Sequence, residues 1–192
     1  MSKQQDQFMG DRLRWGIVIA AVALIGGLWI WASSVPASAT TSGDIPSPRK
    51  GFAAPDFTLT GLNSEEIHLA DLRGQAVVIN MWASWCPPCR AEMPALQRVY
   101  EANKDRGLVV LAVNTTYQDT QSAAVDFVEQ RGLTFPVLFD ITGDVSNQYL
   151  VRAMPTTFFV GRDGVIDQVV VGGPMSEATI RAGVEEALEE GP

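Results

Sequence analysis

Apolar residues mark the elements of this chain. Residues 15–32 (WGIVIAAVALIGGLWIWA) carry no charge and are apolar on every helical face. A helix of that length spans about 27 Å at 1.5 Å per residue. That is close to the ~30 Å hydrocarbon core of a bilayer, and extension to Val35 closes the gap. Trp15 lies at one end and Trp29 and Trp31 at the other, where amphipathic rings favour the membrane interface. Lys3, Arg12 and Arg14 precede the run, so the pattern predicts a cytoplasmic segment over 1–14 and export of the chain beyond residue 35. Ala37-Ser38-Ala39 offers a signal-peptidase site, but the apolar run exceeds the ~7–15 residues of a signal core. The expectation is an uncleaved transmembrane anchor over 15–35. Residues 36–52 have no apolar period and are rich in Ser, Thr, Ala and Pro, which predicts a mobile linker.

A domain is expected over 53–192. Asp56–Leu59 and Glu66–Leu69 alternate polar and apolar about a Gly-Leu-Asn-Ser turn, as a β-hairpin does. Ala76–Trp82 and Leu108–Asn114 are nearly continuous apolar runs, expected as strands buried on both faces. Helical spacing is present over 87–104 and 120–131, with Gly132 placed to stop the second helix. Pro136–Asp140 reads as a short strand and Asp144–Leu150 as a short helix. Thr156–Val160 and Val165–Val171 form a second hairpin about a Gly-Arg-Asp-Gly turn. Ser176 opens a last helix to Glu190. The order β-β-β-α-β-α-β-α-β-β-α predicts an α/β domain: a mixed central sheet flanked by helices, with an N-terminal β-hairpin extension.

Charge narrows the partners. The chain has 14 Lys and Arg against 22 Asp and Glu. A net-negative surface repels phosphate backbones, so no nucleic-acid partner is expected.

Both cysteines, Cys86 and Cys89, lie in WASWCPPCRAEMP, just past the end of a buried strand and at the start of a helix. A structural zinc site needs four ligands, and the chain holds two Cys and the lone His68, which falls in the first hairpin. No metal is expected. A disulfide over two intervening residues removes little chain entropy and would stabilise weakly. The redox reading accounts for the location. A thiol at a helix N-terminus meets unpaired N–H groups and the positive end of the dipole, which favour its thiolate. Cys86, at about the N-cap, is expected to be exposed and to attack. Cys89, one turn inside, is expected to be more buried and to resolve the mixed disulfide. Pro87 and Pro88 suit early helix positions, where no N–H is needed. Arg90 could stabilise a thiolate, but a solvated helix charge is the favoured reading. Glu92, three residues after Cys89, either takes a thiol proton or compensates the helix dipole, and the spacing favours neither. Met154-Pro155 precedes a β-branched strand, which suits an edge proline or a cis bond.

These motifs together resemble a family. APDFTL (54–59), LADLRGQAVVINMWASWCPPCRAEMPAL (69–96), TFPVLFD (134–140) and MPTTFFVGRDGVI (154–166) look like the membrane-anchored TlpA/ResA-type thiol–disulfide oxidoreductases, which have the thioredoxin-like fold. The resemblance implies an extracytoplasmic dithiol reductant of exported disulfide proteins, apocytochromes c among them. A membrane thiol–disulfide donor would recharge it, and no cofactor would be needed. It implies Cys86 as attacking and Cys89 as resolving thiol, Glu92 as tuning carboxylate, Pro155 as a cis-proline, and Trp85, Pro87 and Met154 as substrate contacts. Cytoplasmic thioredoxins carry a buried acid six residues before the first cysteine. Here that position is Asn80, which leaves Glu92 the nearest carboxylate. A disulfide-forming oxidant would use the same residues, and a binding module or haem chaperone would leave the thiols incidental. A peroxidase of peroxiredoxin type would need Pro and Thr where this chain has Ile79 and Ala83.

Overall fold

In a computed structural model of the chain, residues 20–27, 29 and 45–189 are described. The chain divides into two compact units, residues 1–40 and 41–192. In the first, residues 20–27 and 29 are helical with exposed side chains. The rest of the expected anchor, the expected cytoplasmic segment and residues 36–44 lie outside the described residues. No helix among the described residues is long and apolar enough to cross a membrane.

The second unit contains β1 (Thr58–Thr60), β2 (Glu66–His68), β3 (Ala76–Trp82), α1 (Pro87–Asn103), β4 (Leu108–Asn114), α2 (Gln121–Arg131), β5 (Val137–Phe139), α3 (Asp144–Gln148), β6 (Thr156–Val160), β7 (Ile166–Val171) and α4 (Glu177–Glu189). Five strands form one sheet in the order β5-β4-β3-β6-β7. β3, β4 and β5 run parallel, while β6 and β7 are antiparallel to their neighbours. This is the mixed sheet expected from the alternation of elements. β1 and β2 pair as a separate hairpin, which touches the β5 edge through a Gly61–Leu138 bridge.

Period-two alternation sends the residues of β3 to two cores. Val78 and Trp82 join the α1, α2 and α4 side chains Met93, Leu96, Phe127, Ile180 and Val184. Val77, Ile79 and Met81 face the other way, toward Phe57, Val145 and Tyr149. The Tyr149 hydroxyl donates to the Pro55 carbonyl at 2.6 Å and fastens the segment before β1. Burial first, and the Asp56 charge second, push that phenol well above its ordinary pKa of 10.

Of the expected linker over 36–52, residues 45–52 are described. Gly51 donates to the Ile166 carbonyl, Ile166 donates back to Phe52, and Ala54 donates to Gly164. These backbone bonds lay residues 51–54 along the start of β7, and a Pro46–Ala53 bridge with the Ser47 N–H donating to the Ala53 carbonyl folds residues 46–47 against them. The sequence shows no period there because the segment is held mainly by backbone groups, with only Ala53 and Ala54 buried.

Candidate active site

β3 ends at Trp82, and residues 83–85 turn the chain into α1. Cys86 caps that helix with extended backbone (φ −84°, ψ 108°), and its Sγ accepts the Cys89 N–H at 3.3 Å. That donor lies at the N-terminus of α1, at the positive end of its dipole. Here Cys86 and Cys89 form a disulfide, with Cα atoms 5.3 Å apart. Cys86 is only 3% exposed and Cys89 fully buried. The ranking is the expected one, but an exposed Cys86 is not found. Its sulfur turns inward over the first helical turn and packs in the cluster that holds Ala83, Cys89 and Met93.

One turn on, Glu92 points into the protein at 1% exposure. Asn80 Nδ2 donates to its Oε1 at 2.9 Å, and the Met175 N–H donates to its Oε2 at 2.9 Å. Burial pushes the Glu92 pKa above the ordinary 4.5, and these two bonds pull against it without winning. Asn80 also donates to Thr157 Oγ1 at 2.8 Å, across the β3–β6 register that sets the two residues opposite each other.

The Met154–Pro155 bond is cis. Gly173 ties the proline to Glu92. A Cβ at Gly173 would fall 2.6 Å from Pro155 Cγ and 2.9 Å from Glu92 Oε2, so only a residue without a side chain lets the three meet. Met154 packs against the cluster of the cysteines, and its sulfur accepts from Thr115 Oγ1 at 3.3 Å. Trp85 is exposed, with its indole N–H bonded to the Gln118 carbonyl at 2.8 Å.

Sequence reasoning missed a carboxylate that fastens the turn before Cys86. Asp119 accepts from the Ser84 N–H (2.6 Å), Ser84 Oγ (2.7 Å), Asn114 Nδ2 (2.9 Å) and the Thr120 N–H (2.8 Å). Burial pushes its pKa up, but the bonds from Asn114, Ser84 and Thr120 outweigh burial and hold it below 3.8. The legible signal was an asparagine in each buried strand. Asn80 and Asn114 are fully buried amides amid apolar residues, and a buried amide needs partners. Nothing local pointed to Gly173 or Met175. His68, half-buried in the first hairpin, lies 2.6 Å from Asp56. No group of three His, Cys, Asp or Glu among the described residues could hold a metal.

A cysteine pair two residues apart at a helix N-terminus, closed here as a disulfide, has the arrangement for disulfide exchange, and the sheet carrying it is that of a thioredoxin-like protein. Residues 51–169 match the AhpC/TSA family model. The chain is 40% identical over 122 residues to the thiol-disulfide oxidoreductase ResA of Geobacillus kaustophilus, covering 64% of this chain and 69% of that relative. The crystal structure described as a thiol:disulfide interchange protein DsbE from Chlorobium tepidum superposes with a TM-score of 0.68 at 33% identity, over 73% of this chain and 98% of that one. StoA from Bacillus subtilis gives 0.60 at 28%, over 67% and 96%. The chain belongs to the AhpC/TSA family and, within it, to the thiol-disulfide oxidoreductases of ResA type. Ala83 and Ile79 are fully buried apolar residues; Ala83 offers no hydroxyl where a peroxidase of peroxiredoxin type would carry Thr, and Ile79 stands where it would carry Pro.

Proposed function

We propose that the domain is an extracytoplasmic dithiol reductant, held at the membrane by residues 15–35. Its substrates are disulfides of exported proteins, with the disulfide that joins the paired haem-binding cysteines of apocytochromes c as the favoured class. A membrane thiol–disulfide donor returns it to the reduced state. The Cys86 thiolate attacks one sulfur of the partner disulfide, and the other partner sulfur leaves as a thiolate. Glu92 takes the Cys89 proton. Cys89 then attacks Cys86 and expels the second partner sulfur. Two electrons pass to the partner, and the protein is left with the Cys86–Cys89 disulfide. Trp85, Pro87, Met154 and Pro155 receive the partner chain. The exposed apolar residues Trp85, Tyr117 and Ile141, just beyond the carboxyl ends of β3, β4 and β5, extend that platform.

The observation that carries this reading is the buried Glu92 carboxylate one turn from Cys89. A nearby carboxylate disfavours thiolate. Strong oxidants depend on a stabilised reduced thiolate, so this site is poised toward reduction. Two measurements test it. The reduction potential is expected near the ~−270 mV of a thioredoxin, and a value near the ~−120 mV of strong oxidants would reverse the assigned direction. Cys89→Ala is expected to accumulate mixed disulfides between Cys86 and exported partners, identified by mass spectrometry. Absence of such adducts, while wild type reduces the same proteins, would overturn the order of attack.

A further inference from the structure

Beside the cysteines lies a cationic recess in an acidic domain. Nine Lys and Arg stand against 19 Asp and Glu after residue 52. Arg98, Lys104, Arg106 and Arg181 pair with carboxylates. Arg73 and Arg162 donate to backbone carbonyls. Among the described residues, Arg90, Arg131 and Arg152 do neither. Arg90 and Arg131 instead lie over the Phe127 ring, 5.2 and 5.6 Å from its centroid, although they come from different helices. The ring is itself buried and rests against Trp82. The ring therefore anchors two like charges at one recess, where mutual repulsion would otherwise spread them.

The same two arginines line an open recess of about 340 Å³ with Pro87, Ala91 and Pro94. Positions 87, 90, 91 and 94 form one stripe of α1, spaced i, i+3, i+4 and i+7. The stripe begins at the residue after Cys86. Each guanidinium keeps its planar donors for an external acceptor, and that arrangement matches a carboxylate.

We propose that this recess binds a carboxylate side chain of the disulfide-bearing partner, and so selects substrates with Asp or Glu close to the cysteine under attack. The proposal rests on the reductant reading and names its substrate preference. Cys86 to Arg90 is four residues of helix, about 6 Å of rise. An extended partner chain advances about 3.3 Å per residue. The acidic residue therefore falls one to three positions from the attacked cysteine. The preference runs against the net charge of the whole protein, which would steer acidic peptides away. A preference for them must come from the recess.

The test uses the reduced full-length protein and three probes: a disulfide-closed peptide with Glu two residues from one cysteine, the same peptide with Lys there, and bis(2-hydroxyethyl) disulfide. At low salt the Glu peptide is expected to be reduced with a kcat/KM about tenfold above the Lys peptide, and the ratio is expected to fall as salt rises. Arg131→Glu is expected to abolish or invert the ratio and Arg131→Lys to keep part of it. Neither change is expected to alter the rate with the small disulfide. Equal rates for the two peptides, or a ratio that survives Arg131→Glu and Arg90→Glu, would overturn the proposal. So would peptides that Arg131→Glu leaves unaffected while binding to phosphatidylglycerol vesicles is lost, since the recess would then serve a lipid surface. Failure to reduce even the small disulfide would instead sink the reductant reading itself.

Discussion

Glu92→Gln separates burial from hydrogen bonding at the heart of the site. The wild-type carboxylate accepts two bonds, from Asn80 Nδ2 and the Met175 N–H. A bond to a charged acceptor contributes about 1.5–3 kcal/mol, whereas taking a carboxylate out of water costs several kcal/mol. Burial is the larger effect, and the pKa lies above 4.5. The folded protein therefore holds this proton more tightly than the unfolded chain does. The contribution of Glu92 to stability is complete below pH 4.5 and is lost as pH rises through the raised folded-state pKa. The loss has a slope of at most ~1.4 kcal/mol per pH unit. The glutamine amide is neutral throughout and matches the protonated acid in shape. Urea unfolding of the oxidised proteins, in which neither thiol titrates, is the assay. Near pH 4 the two proteins are expected to agree within about 1 kcal/mol. Above pH 4.5 the variant gains on wild type until the Glu92 pKa is passed, and the difference then levels off. Parallel stability curves, or a variant that loses ground as pH rises, would refute the claim that burial dominates. In the reduced protein the same change is expected to slow release of the mixed disulfide about 10²–10⁴-fold, read by quenched-flow trapping.

Asp119→Ala removes four bonds that fasten the turn before Cys86. It is expected to lower stability by about 2–4 kcal/mol in urea unfolding at neutral pH. The wild-type advantage is present above pH 3.8 and shrinks as pH falls through the depressed pKa, so the two proteins converge in acid. Gly173→Ala forces a methyl group against Pro155 and the Glu92 carboxylate. Calorimetry is expected to show a loss of about 1–3 kcal/mol, and disulfide reduction is expected to slow. Normal stability and rate would mean that residues 172–174 move aside freely.

The elements were legible because most of them bury a continuous or periodic apolar set. β3 and β4 are runs of branched side chains, and α2 starts at Thr120 and stops at Gly132 in a left-handed turn, as capping chemistry requires. The cysteine pair was legible because its spacing and its place after a buried strand are local facts. What escaped is non-local. Met175 reaches Glu92 across 83 positions, and Asp119 reaches Ser84 across 35. No pattern within one element encodes such a meeting. The inward turn of Cys86 escaped for a related reason. Helix-terminus chemistry places a sulfur near the N–H groups, but tertiary packing decides whether solvent reaches it.

Asn80 connects the sheet to the chemistry. Its amide sits on the α1 face of β3, with Nδ2 donating to both Glu92 Oε1 and Thr157 Oγ1. Its Oδ1 is buried and has no partner among the described residues. A carboxylate beside a thiol must exist in two forms. The ionised form needs a donor facing it, and the protonated form needs an acceptor. A second carboxylate at position 80 would repel an ionised Glu92 by ~4 kcal/mol at 4 Å and an effective dielectric near 20. An aliphatic side chain would leave Oε1 buried with no donor. The amide presents Nδ2 to the carboxylate, and a half-turn about its last side-chain bond would present Oδ1 to the protonated acid. Thr157 tolerates either orientation, because a hydroxyl both donates and accepts. One uncharged residue would thus partner both protonation states of Glu92, leaving one acceptor unpaired in the observed orientation and both Nδ2 hydrogens unpaired in the turned one.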